Sequence, residues 1–311
     1  MVSTGIHEFN MKSPLLFQNQ PACQIADDQN KIVISPDHGA RILRWERKGR
    51  EIITWPENAD WSRITKVRGG NPVLFPFVAR HYVDGVNELW RDTGGTVRPM
   101  PQHGFAVNAK FSEIEGGPEN SIRMRLVDSE KTRSLYPFAF QFDVVVSLLP
   151  GSRLEVRLET TNTGDHSLPY YAGHHFYFAV PHDRRADWTL DLPCAEWGWR
   201  TEDGAVIRKK AEGQVLHLDD PEISDRFQIG PKSKVTLHNA RTRQRLVFEL
   251  EHPGSVPWYV VTIWREFANS DFYCVEPWLG LPNAIHHGEG LRWLAPGAKE
   301  IAALVLDGSL W

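Results

Sequence analysis

Hydrophobic and polar positions alternate with a period of two in the clearly patterned segments of the chain. Lys31-Ile-Val-Ile-Ser35, Ser121-Ile-Arg-Met-Arg-Leu126 and Arg153-Leu-Glu-Val-Arg-Leu-Glu-Thr160 all read this way. Such alternation predicts strands with one wet face. Phe142-Asp-Val-Val-Val-Ser-Leu-Leu149 and Ile301-Ala-Ala-Leu-Val-Leu306 are almost continuously apolar, which suits strands buried between two layers. Long amphipathic helical stretches are absent from the pattern. Turn signals punctuate the strands at Pro150-Gly151, Asn162-Thr-Gly164, Asp203-Gly204, Pro253-Gly254 and Pro296-Gly297. Many short strands with such punctuation predict an all-β protein, a large antiparallel β-sandwich. No fixed-period repeat or linker interrupts the chain, so residues 1–311 are expected to form a single domain, with the charged stretch Arg208 to Gly213 as a surface loop.

Composition narrows the possible partners. A formal net charge of −4 gives no basic footprint, so nucleic acid is excluded as an expected partner. Cys23, Cys194 and Cys274 are far apart and odd in number, which points to neither a disulfide framework nor a zinc site and fits a cytoplasmic setting. The first twenty residues lack the basic start and apolar run of a leader, and no stretch reaches membrane-spanning length, so no membrane association is expected. Aromatic residues make up 11% of the chain, and flat rings suit the apolar faces of sugars as well as a large core. The Gly pairs at 69–70 and 94–95 lack the spacing of a phosphate-binding loop. The oligomeric state is not legible.

Three clusters carry candidate chemistry. Arg80 follows an apolar strand and His103 sits in a Gly-flanked turn; loops on a rigid scaffold commonly carry sites. In Tyr170-Tyr-Ala-Gly-His-His-Phe-Tyr-Phe178, alternation puts His175 on the face of Tyr177 and His174 on that of Phe176. Neighbouring histidines therefore point apart, which argues against a shared metal at His174-His175 or His286-His287. Glu276 lies at the end of the apolar run Phe272-Tyr-Cys-Val-Glu-Pro277, where a carboxylate is costly unless paired or functional. Were strand pairing to bring it opposite His175, the two would form a general acid and base.

The segments GGNPVLFPFVAR (69–80), QHGF (102–105), AGHHFYF (172–178), SDRF (224–227), CVEPW (274–278) and LAPG (294–297) resemble, in order and spacing, the aldose 1-epimerase (galactose mutarotase-like) family. That resemblance covers the chain from near residue 30 to its end. It implies a β-supersandwich with an open sugar cleft and a cofactor-independent interconversion of α and β anomers of an aldose. His175 would protonate the ring oxygen, Glu276 would take the C1 hydroxyl proton, and His103 would orient the sugar. Arg80 and Asp225 would bind hydroxyls, although the family usually has Gly where Ala79 precedes Arg80. The chemistry expects an ionised Glu276 and a protonated His175, each sustaining the other's charge. Trp264 and Trp278 are candidates to stack on the sugar.

Related hexose-6-phosphate enzymes often continue the HGF motif with Ala-Arg, whereas this chain reads Ala106-Val107. The missing Arg favours an unphosphorylated aldose, although Arg68, Arg91 or Arg98 would be alternative phosphate partners. A hexose-6-phosphate mutarotase is thus the enzymatic alternative, distinguished by a basic cluster beside the cleft. A non-catalytic sugar-binding protein is the other alternative, disfavoured because a binding module needs no matched acid and base.

Overall fold

The computed structural model describes residues 12–201, 205–211 and 215–311. Two large antiparallel sheets face each other, the β-sandwich expected from the alternation. The larger sheet runs from Ser13–Phe17 at one edge through Arg50–Ile53, Phe176–Ala179, Phe272–Trp278 and Val260–Trp264 to Val206–Lys210 at the other. The smaller runs from Ser112–Ile114 through Phe140–Leu149, Arg153–Asn162 and Lys299–Leu310 to Val215–His217.

Alternation in the smaller sheet separates core from solvent. Val144, Val146 and Leu148 lie beside Leu158, Val156 and Leu154, which in turn pair with Ala302, Leu304 and Leu306, and all nine are buried. The opposite face of the same strands is a charge ladder. Arg123 reaches Asp143 at 2.7 Å and Glu159 at 2.8 Å, and Lys299 reaches Glu159 at 2.6 Å. The basic side chains cover the buried Asp143 and Glu159, and such cross-strand pairs of opposite charge hold register.

The larger sheet gives its Ile32, Ile34, Phe176, Phe178, Tyr273 and Val275 to the core. Its other face carries separate small apolar clusters, one of them Tyr177, Phe272 and Cys274 with Trp264. Helices are short: Glu130–Leu135 and Ala284–His287 are the α-helical segments among the described residues. No described helix is long and apolar enough to cross a membrane.

Two expectations need comment. The loop expected from Arg208 is instead a strand as far as Lys210, paired with Glu196–Arg200. Its charges sit on a sheet edge, where they discourage further strand addition. Residues 212 and 213 and the turn expected at Asp203-Gly204 lie outside the described residues. Cys23, Cys194 and Cys274 are free thiols.

Candidate active site

The outward face of the larger sheet positions the candidate residues. Along Phe272–Trp278, Tyr273 and Val275 turn into the core while Cys274 and Glu276 turn away from it. The adjacent strand pairs Phe176 with Val275 and Tyr177 with Cys274, which sets His175 beside Glu276. Thr262 pairs with Glu276 from the other side. His175 itself leaves the ladder, and its backbone N–H is donated to Asn71 Oδ1 (3.0 Å) and Pro72 O (3.2 Å). His175 Nε2 comes to rest 3.4 Å from Glu276 Oε2. Its ring stacks on Tyr177 at 4.8 Å and meets Trp264 edge-on at 5.7 Å.

His103 approaches from a turn with positive φ at both His103 (67°) and Gly104 (76°). A Cβ at Gly104 would collide with the Phe75 carbonyl oxygen, so the close approach requires glycine here. The His103 N–H is donated to Ala79 O at 2.8 Å, and the Ala79 N–H to His103 Nδ1 at 3.1 Å. The second bond makes Nδ1 an acceptor and leaves the ring proton on Nε2. The His103 ring lies 5.4 Å from that of His175. Ala79, one residue before Arg80, is itself left-handed at φ 60°, the conformation that glycine adopts most readily.

Arg80, Asp225, Trp264 and Trp278 line the same cleft as His103, His175 and Glu276, in a cavity of about 1080 Å³. All seven candidate residues are therefore brought together. Trp264 is less free as a sugar platform than expected, because the Arg68 guanidinium lies 5.3 Å over its ring. Arg68 also pairs with Glu266 at 2.8 Å. Arg91 and Arg98 serve elsewhere, paired with Asp84 and Asp92.

Electrostatics depart from the expectation of mutually sustained charges. Burial pushes the Glu276 carboxyl well above its ordinary value, and the Asp225 charge raises it further. Burial pushes His175 well down, helped by His103, Arg41 and Arg68. At 3.4 Å the pair forms no aligned hydrogen bond, and Oε2 and the His175 Nδ1 are buried without a partner among the described residues. Burial thus favours the uncharged form of each group, against their mutual attraction. His103 is lowered to about 3 by burial and by Arg68, Arg80 and Arg200, and is a neutral donor. Burial raises the Asp225 carboxyl, against the pull of Arg200 and Arg80.

Three residues escaped the sequence reading. Arg200 lines the cleft from the end of Glu196–Arg200, and no local signal marks it. Asn71, inside the quoted GGNP segment, fixes both histidines: besides the His175 N–H, its amide lies 3.1 Å from His174 Nδ1. Arg41 is wholly buried and donates to the carbonyls of Ile64 (3.0 Å), Val67 (2.8 Å) and Gly69 (3.1 Å), holding the cleft wall that carries Arg68. Among the described residues, His175, Cys274 and Glu276 form a group whose potential ligand atoms lie within 4.8 Å of one another.

The arrangement gathers two carboxyls, two imidazoles and two arginines around one cleft, and the chain has counterparts with similar architecture. A galactose mutarotase related enzyme from Lactobacillus acidophilus, solved by X-ray crystallography, is 26% identical and superposes with a TM-score of 0.77 over 92% of this chain and 96% of its own. Protein LacX of Lactococcus lactis is 21% identical over 264 residues, 79% of this chain and 84% of its own. A putative glucose-6-phosphate 1-epimerase of Escherichia coli is 26% identical over 126 residues, 39% of this chain and 37% of its own. The family model described as aldose 1-epimerase matches residues 21–299, and the chain belongs to that family.

Proposed function

We propose that the protein interconverts the α and β anomers of an aldose, with Glu276 as general base and His175 as general acid. The observation that carries this reading is the 3.4 Å approach of His175 Nε2 to Glu276 Oε2 in the lining of the cleft. Because burial favours the uncharged forms, this reading starts from a protonated Glu276 beside a neutral His175. Transfer across 3.4 Å gives the imidazolium and carboxylate that ring opening needs, without a proton from solvent. A bound sugar stabilises that arrangement, because its ring oxygen accepts from His175 and its C1 hydroxyl donates to Glu276. Glu276 then takes the hydroxyl proton as His175 protonates the ring oxygen, and the C1–O5 bond breaks to leave the aldehyde. Rotation about C1–C2 and closure with the roles reversed gives the other anomer. The neutral His103 donates from Nε2 towards the ring oxygen, and Asp225 and Arg80 bind hydroxyls.

A second substrate reading has its own support. Arg80 and Arg200 both line the cleft, and neither is ion-paired to a carboxylate among the described residues. Relatives from Escherichia coli and Salmonella typhimurium carry the name putative glucose-6-phosphate 1-epimerase. A phosphate remote from C1 is thus an acceptable substituent despite the absence of an Arg after Ala106.

The test is the relaxation of freshly dissolved α-D-glucose, α-D-galactose and α-D-glucose 6-phosphate, followed by polarimetry or exchange NMR. Acceleration lost in His175→Asn supports the reading, and the ratio between sugar and sugar phosphate selects the substrate class. No acceleration with any of the three would leave a binding protein.

A further inference from the structure

We propose that the base of the cleft is also a zinc site, in which His175, Cys274 and Glu276 bind Zn²⁺ reversibly and exclude the sugar. Metal binding stands independently of the reading above, whereas inhibition rests on it.

The geometry comes first. Zinc takes nitrogen at about 2.0–2.1 Å and carboxylate oxygen at about 2.0–2.2 Å in a tetrahedron, so two such ligands stand about 3.4 Å apart. His175 Nε2 and Glu276 Oε2 already have that separation, 3.4 Å. The Cys274 Sγ falls with them in a group spanning at most 4.8 Å. A thiolate at about 2.3 Å from zinc would stand roughly 3.6 Å from its neighbours, so a shift of about 1 Å seats it. Cys274 and Glu276 are two apart on one strand and hence share its outward face, while His175 lies in the break just before the adjacent strand Phe176–Ala179, so all three side chains converge on that face.

The state of these atoms points to a ligand as well. Glu276 is 1% exposed, and its Oε2 has no hydrogen-bond partner among the described residues. An unpartnered buried carboxyl oxygen is costly, and a cation is the occupant that relieves it most directly. Thiolate, imidazole and carboxylate together suit zinc better than magnesium or calcium, which prefer all-oxygen shells. His175 and Glu276 line the cleft while Cys274 is wholly buried behind them, so an ion would be reached from the cleft side.

The same surroundings limit the affinity. His175 Nδ1 lacks a described partner, whereas tightly held zinc ligands are normally oriented by a second hydrogen bond at that nitrogen. Binding also requires the thiol and the carboxyl to release their protons to solvent, so affinity rises with pH. A metal held this way ties up both the proposed acid and the proposed base.

The test uses tag-free full-length protein freed of metal with a chelator. Co²⁺ is titrated as a spectroscopic probe and Zn²⁺ by calorimetry, for the wild type and for Cys274→Ala and Cys274→Ser. One Co²⁺ per chain with a thiolate-to-metal charge-transfer band, lost in both variants together with at least about tenfold of the zinc affinity, is expected. Where mutarotation is measurable, zinc raises the apparent KM of the wild type and does so far less in the variants. Zinc affinity unchanged in folded Cys274 variants, or a wild type with neither a charge-transfer band nor zinc binding at 0.1 mM or so, overturns the proposal. Zinc binding as described without turnover of any aldose would leave the metal site standing and remove the proposed function alone.

Discussion

Ala79 and His103 hold each other through two hydrogen bonds, His103 N–H to Ala79 O at 2.8 Å and Ala79 N–H to His103 Nδ1 at 3.1 Å. The clasp fixes the neutral tautomer of His103 and ties the turn to the segment that leads into Arg80. It also holds Ala79 at φ 60°, where an L side chain costs about 1–2 kcal/mol. Glycine removes that cost but gains freedom in the unfolded chain, which returns part of it. Ala79→Gly is therefore expected to stabilise the protein by about 0.5–1 kcal/mol, read as a rise in the urea midpoint at constant slope. An unchanged or lowered midpoint would mean that the clasp does not strain Ala79.

Gly104 tests the same turn from the other side. A methyl group there runs into the Phe75 carbonyl oxygen, a backbone atom that cannot step aside. Gly104→Ala should cost more than about 2 kcal/mol and displace His103, with lower thermal stability and lower kcat/KM together. Wild-type stability in this variant would show that the turn tolerates a different path.

Glu276 separates catalysis from stability. Its carboxyl is raised well above 4.5 by burial, so the folded state holds a proton that the unfolded state releases near 4.5. The folded state therefore loses stability as pH rises above 4.5. Glu276→Gln keeps the shape and removes that penalty. It should abolish most turnover, leave sugar affinity within about tenfold and melt higher than the wild type at pH 8. Loss of folding would instead mark Glu276 as structural.

Acid should unfold the protein steeply. His81, His103 and His174 are each pushed to about 3, and His175 well below 6.5, chiefly by burial. Because these folded values lie below the unfolded 6.5, their contribution is intact above pH 6.5 and is lost as pH falls from 6.5 towards 3. The plot of unfolding free energy against pH should approach a slope of about three protons near pH 5, four from the imidazoles less most of the one that the folded state keeps on Glu276. A flat profile between pH 7 and 5 would place these rings in contact with solvent.

Much of the fold was legible because sheets write their pleat into the sequence. The wet face of Arg153–Asn162 and the buried run of Phe140–Leu149 could be read directly, and both strands extend slightly beyond the expected ends. Arg208 to Lys210, read as the start of a loop, was misread because the run is charged and does not alternate. Its place depends on Lys209 lying over Trp197 and Trp199 at 5.5 and 5.2 Å, a contact across strands. The site residues came from motif order and from the face shared by His175 and Tyr177. Their charge states could not be read, because desolvation depends on everything packed around them. Arg41, Asn71 and Arg200 were missed for a related reason: each meets its neighbours in the site only across long sequence separations.

The backbone of the cleft also limits how its specificity can change. His103 (φ 67°) and Asp225 (φ 60°) point into the cleft from left-handed positions. Asn, Asp, His and Gly enter that conformation more readily than other residues, while β-branched side chains are nearly barred from it. Exchange of Asp225 for Asn keeps the backbone and changes only charge, so, on the proposed function, discrimination between neutral and anionic sugars can shift in one step. Exchange for Val or Thr would distort the backbone before it altered recognition. The routes to a new substrate are therefore filtered by main-chain geometry as much as by the shape of the sugar.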